Sequence, residues 1–182
     1  KFTEWLSLTS PAPSYKDLFI AFIVGMFLCF FKPFWKYFEI VDTYFHETGH
    51  AIVATLTGFK VKRIVLNADK SGVTSFMGRG GRFRRTLIAF AGYPSSALTG
   101  WFLMLSVRTG HPHWAIFFAA VVVLYFSVVQ RSLRGWLITI VTLAITALSV
   151  QVQPTAVTTN VTGIFLAGLS GFLLMASPRS II

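Results

Sequence analysis

Acidic side chains are scarce in this sequence, and they stop early. Of 182 residues only six are Asp or Glu, against 16 Lys or Arg, and none follows Asp69. Cysteine is scarcer still. Cys29 stands alone, which excludes an internal disulfide and a cysteine-based metal site. It lies in an apolar run and reads as a packed thiol. Charged residues make up 12% and apolar residues 54%. A soluble domain carries about a quarter charged residues, so this balance excludes one. No internal repeat is detectable and the apolar stretches hold few charges, which argues against a transporter or channel.

What is present is a series of long apolar runs joined by short basic loops. That pattern predicts an all-α polytopic membrane protein, integral to the cell membrane, with about six apolar helices, the first one short. The net charge of +10 does not call for nucleic acid. The cations fall beside apolar spans, where membrane topology and anionic lipid head groups account for them. Membrane lipids are therefore expected partners, and nucleic acid is not.

Residues 1–14 break at Pro11-Ala12-Pro13 and read as an interfacial or disordered N-terminal segment. Residues 15–182 read as a single membrane domain. Its first apolar run, 18–31, is 14 residues long. The second helix is expected over 33–57, with Pro33 in its first turn and Gly58 as its stop. A hairpin insert follows over 60–77, turning at Asn67-Ala68-Asp69-Lys70-Ser71-Gly72. Its strand edge is a candidate for capturing an extended peptide, with a self-contained connector as the alternative. From Lys60 to Arg85 there are eight basic residues and one acid, so the loop 60–85 is expected in the cytoplasm. Lys32 and Lys36 oppose this topology but are outnumbered.

Further spans are expected over 86–107, 114–130, 136–150 and 161–176. In the first of these, Gly92, Ser96 and Gly100 recur every fourth residue, so another helix backbone can come close. Pro94 interrupts the same helix. His111 and His113 lie in a short loop on the face opposite the basic hairpin and are expected at the surface.

The chemistry concentrates in His46-Glu47-Thr48-Gly49-His50, the pattern H-E-x-x-H. On a helix, positions i and i+4 share a face, so both imidazoles can reach one ion. Zinc suits two neutral imidazoles and keeps a position open for water in catalytic centres. Glu47 is then placed to serve as general base and to hand the proton to a leaving amine. The alternative is a helix whose His and Glu merely bond each other. Ionisable residues in so apolar a setting are functional by default, which weighs against it. Asp42, four residues before His46, is a candidate acceptor for orienting that ring, or else lines a wet cavity. His50 precedes Gly58 by eight residues, which sets the metal about 12 Å below the end of the helix.

The motif, continuing through Gly58-Phe59-Lys60-Val61-Lys62-Arg63-Ile64 and Ser71-Gly72-Val73-Thr74, resembles the site-2 protease family of intramembrane zinc metalloproteases. Ala91-Gly92-Tyr93-Pro94-Ser95-Ser96 is similar to the family's next core helix, and the last span is similar to a bacterial branch. The resemblance implies that His46 and His50 bind Zn2+, that Glu47 is the catalytic acid/base, and that the hairpin meets substrate. It also implies that Ser96, where the family often has Asn, holds the substrate backbone. A third ligand, an Asp from a later helix, has no counterpart here. It is expected beyond Ile182, or the chain is a degenerate member; Asn160, His111 and His113 are the fallbacks. The expected function is intramembrane cleavage of a transmembrane or membrane-near peptide. The rival is a non-catalytic accessory or scaffold subunit of a larger membrane protein complex.

Overall fold

The structure, a computed structural model, describes residues 13–67, 69, 71–151 and 156–179. The N-terminal segment expected over 1–14 lies outside the described residues except for its last two.

Helix α1 (Tyr15–Leu28) begins at Ser14, whose hydroxyl accepts the Asp17 N–H at 3.2 Å. Such a cap satisfies one of the donors that a helix start leaves open. Helix α2 (Lys32–Leu56) carries Pro33 in its first turn. It ends at Gly58, which adopts φ 84°. The Gly58 N–H donates to Thr55 and the Phe59 N–H to Ala54, at 3.1 and 2.8 Å, closing the last turn. The expected stop at Gly58 therefore holds for a backbone reason, since a left-handed residue must end the helix there.

Strands β1 (Lys60–Leu66) and β2 (Gly72–Met77) form the hairpin, antiparallel, in a register from Lys60↔Met77 to Leu66↔Gly72. Helices α3 (Arg82–Arg108), α4 (Pro112–Ser127), α5 (Leu133–Gln151) and α6 (Ala156–Arg179) complete the order. The chain is thus mostly helical with one small hairpin. α3, α5 and α6 start three to five residues before the apolar runs that foretold them. Apolarity marks where a helix is greasy, and a helix with a polar first turn begins earlier.

The outer edge of β1 is also used. The Ile64 N–H donates to Val129 at 2.9 Å and the Arg131 N–H to Ile64 at 3.0 Å, so the α4–α5 connection lies alongside β1.

α6 packs against both α1 and α3. Glycine makes the approach possible. A Cβ at Gly25 would collide with the Gly168 carbonyl, and one at Gly100 would lie 2.7 Å from the Ser170 carbonyl oxygen. Leu18, Leu103, Val107, Phe172 and Leu173 form the apolar core between these helices, with Cys29 fully buried in it. The rings of Phe34, Trp35 and Phe38 from α2 gather around Phe172. This holds the first half of α2 firmly and leaves its second half to meet α3 and the hairpin.

Among the described helices, α3 alone is both long and apolar enough to cross a membrane by length and composition. α4 to α6 contain shorter apolar stretches over 112–127, 133–149 and 161–176. α2 is 25 residues long, but Glu39, Asp42, His46, Glu47 and His50 dilute its apolarity.

Candidate metal centre

His46 and Glu47 are neighbours on α2 with His50 one turn on, and the ligand atoms of the three all lie within 4.8 Å of one another. The two imidazoles meet edge to face, with ring centroids 4.8 Å apart. His46 also meets an aromatic ring, with Tyr93 standing 5.2 Å from it at 89°.

α3 supplies the other wall. His50 Nδ1 lies 2.6 Å from the Ile88 carbonyl oxygen. A carbonyl can only accept, so Nδ1 carries the proton, and in the neutral ring that leaves the Nε2 lone pair free for a metal. One turn further along α3, Gly92 faces both rings. A Cβ there would lie 2.6 Å from His46 Nε2 and would collide with His50 Nε2 as well. Both Nε2 atoms therefore look into the space that a side chain at 92 would fill. Two neutral imidazoles and a carboxylate around such a space fit a divalent cation of the zinc type.

The hairpin closes the third side. Glu47 is buried, and its Oε2 accepts the Thr74 hydroxyl at 2.6 Å. The same hydroxyl lies 3.1 Å from the Glu47 carbonyl oxygen. Gly72, two residues earlier on β2, faces the same carboxylate, and a Cβ there would run into it. Residues two apart on a strand share a face, so β2 presents Gly72 and Thr74 together to Glu47.

The helix contact behind the motif is equally close. A Cβ on Gly49 would lie 2.6 Å from the Ala91 carbonyl oxygen, and the Ser95 hydroxyl donates across to the Phe45 carbonyl at 2.7 Å. Ser96 is fully buried in this seam, its hydroxyl 3.3 Å from the Asp42 carbonyl oxygen. Asp42 is buried beside it and is engaged by Ser96. The structure therefore joins Asp42 and Ser96 to each other at the α2–α3 contact.

Among the described residues, neither His111 nor His113 joins the cluster. His113 is not at the surface as expected but buried at the start of α4. The loop folds back, with the His111 N–H donating to Ser106 at 2.8 Å. Asn160 lies in the first turns of α6.

Sequence reasoning found the triplet and missed its frame. Ile88 contributes only a backbone oxygen, which no side-chain pattern announces. Gly92 was read as helix packing, and its spacing gave no hint that imidazoles lay opposite. Thr74 and Gly72 were visible as an alternating pair in a strand, but nothing in the spacing named Glu47 as their partner.

No curated protein and no solved structure matches the chain. The Peptidase M50B-like family model matches residues 19–182, a stretch that takes in the triplet, the hairpin and all of α3. With its His46-Glu47-His50 cluster inside that match, the chain belongs to the Peptidase M50B-like, site-2 protease family of metallopeptidases.

Proposed function

We propose that the protein is an intramembrane zinc endopeptidase. The observation that carries this reading is the convergence of two imidazole Nε2 atoms on the space over Gly92, with the Glu47 carboxylate in reach of the same point. His46 and His50 would hold the ion. Bound there, zinc supplies Lewis-acid polarisation of a water and of the scissile carbonyl. Glu47 takes the proton from the water and returns it to the departing amine. Tyr93 beside His46 and the close α2–α3 seam keep bulk water from the reacting groups.

The setting supports a bilayer. Large apolar side chains are exposed on several helices: Phe19 and Phe27 on α1, Phe90 and Trp101 on α3, Leu137 and Ile140 on α5, Phe165 on α6. Apolar surface this extensive is what lipid covers in a multi-pass protein of the cell membrane. The exposed Lys60, Lys62, Arg63, Arg82, Arg84 and Arg85 gather at the hairpin end, which favours the cytoplasmic side for it.

The substrate is a transmembrane or membrane-near peptide in extended form. Helical carbonyls are sequestered by their own hydrogen bonds, so the segment must unwind before attack. β1 is paired on both edges, whereas β2 has no second strand among the described residues. That edge, beside Glu47, suits strand addition by the unwound peptide.

A second reading is a non-catalytic scaffold in a larger membrane complex. Metal analysis separates the two. Purified protein is expected to hold about one zinc, lost on His46→Ala or His50→Ala. Glu47→Gln is expected to keep the metal and to abolish cleavage of a transmembrane reporter. Zinc-free protein prepared without chelator supports the scaffold.

A further inference from the structure

We propose that Thr74 is a positioning residue for the general base, and that β2 is therefore a working part of the catalytic centre. This rests on the peptidase reading. Glu47 hangs from α2 on a flexible side chain, and among the described residues the hydrogen bond to its carboxylate comes from outside α2. The fixing group comes from the hairpin, where Thr74 Oγ1 lies 2.6 Å from Oε2. A hydroxyl that donates to a carboxylate at this distance makes a strong, charge-assisted bond.

The bond occupies one carboxylate oxygen and leaves the other to take the proton. That other oxygen, Oε1, faces Gly72. A Cβ at position 72 would sit 2.5 Å from it. Gly72 has no positive φ, so conformation does not require glycine there; space does. One strand face thus performs two tasks. Thr74 holds Oε2, and the bare Cα of Gly72 leaves room for the Oε1 side of the carboxylate.

The imidazoles take their frame from another element. His46 and His50 are framed by Ile88, Gly92 and Tyr93 on α3. Metal holding and base positioning are therefore assigned to different elements, and they can be separated by experiment.

The test uses Thr74→Val, which keeps the shape and removes the hydroxyl, with Thr74→Ser as the conservative variant. Zinc content and KM are expected to stay at the wild-type level in both. With Thr74→Val, kcat is expected to fall about tenfold or more, the worth of one hydrogen bond to a charged group, and Thr74→Ser restores it. A second readout does not need turnover. The chain has three glutamates, Glu4, Glu39 and Glu47. Isotope-edited infrared spectra of glutamate-labelled protein, subtracted against Glu47→Gln, isolate the Glu47 carboxylate stretch. That band is expected to shift in Thr74→Val and to return in Thr74→Ser. An unshifted band, or an active wild type with Glu47→Gln dead and Thr74→Val unimpaired, overturns the positioning role alone. If wild type and Glu47→Gln cleave alike, the peptidase reading falls and takes this role with it.

Discussion

The Nδ1 of His50 sits 2.6 Å from the carbonyl oxygen of Ile88, so a ring carried by α2 takes its orientation from α3. The same carbonyl is one helical turn before Gly92, whose bare Cα lies under both Nε2 atoms. A single turn of α3 thus turns one imidazole and makes room for both. The closeness of α2 and α3 at Gly49, Ala91 and Ser95 is what brings that turn within reach.

Gly92→Ala tests this frame. Alanine is the better helix former by about 1 kcal/mol, so an idle position would tolerate or welcome the change. Here the added Cβ meets both imidazoles. The variant is expected to fold, to lose its zinc and to melt below the zinc-loaded wild type, since an ion bound to the native state stabilises it. Thermal melts in detergent paired with elemental analysis check both halves. A variant that melts like wild type and still carries one zinc would remove Gly92 from the site.

This division between what reads from sequence and what does not has a physical origin. The triplet is local: helical periodicity alone puts His46 and His50 on one face. The hairpin is local as well, since alternation and the turn residues from Asn67 to Gly72 define it. The frame is not local. Ile88 is 38 residues from His50, and Thr74 is 27 from Glu47. Their contacts depend on how closely α2 and α3 pack and on which face of β2 turns inward. Spacing of Gly92, Ser96 and Gly100 announced a close helix approach without saying which helix approached. The pairing of residues 129–131 with β1 was invisible for the same reason, because 129 and 130 read as the end of the apolar span 114–130 and 131 as the connection after it. Asp42 depends on the same packing: its spacing offers His46 or a wet cavity, and α3 sets Ser96 beside it.

The hairpin turn responds to acid. Asp69 accepts the Ser71 hydroxyl at 2.7 Å and the Ser71 N–H at 3.0 Å. The Ser71 hydroxyl first, then its N–H, holds the Asp69 carboxyl below the ordinary aspartate range, with Arg134 adding a smaller pull. A lowered carboxylate value stabilises the turn above the unfolded pKa, about 3.9, and the benefit disappears as pH falls through the folded value. Protection of the Ser71 amide from hydrogen exchange, corrected for intrinsic rate, is expected to hold at pH 5 and to fall below about pH 4. Asp69→Asn is expected to flatten that dependence. A wild-type profile that matches the variant would show that this carboxylate does not secure the turn.

Ser132 decides whether the hairpin must be anchored for the base to be held. Its hydroxyl oxygen accepts the Leu66 N–H at 3.0 Å, the Gln130 amide at 2.7 Å and the Gly135 N–H at 3.3 Å. It ties the end of β1 to the start of α5, on the side of the hairpin away from Glu47. Ser132→Ala leaves these donors without their acceptor, at a cost of about 1–3 kcal/mol. The apparent Tm is expected to fall by several degrees. Zinc is expected to stay, because its ligands sit on α2 against α3 and owe nothing to Ser132. Cleavage is expected to fall with zinc retained, since a hairpin freed at β1 no longer fixes Thr74 over the Glu47 carboxylate. Loss of zinc together with activity would mean that the hairpin holds the whole site rather than the base alone.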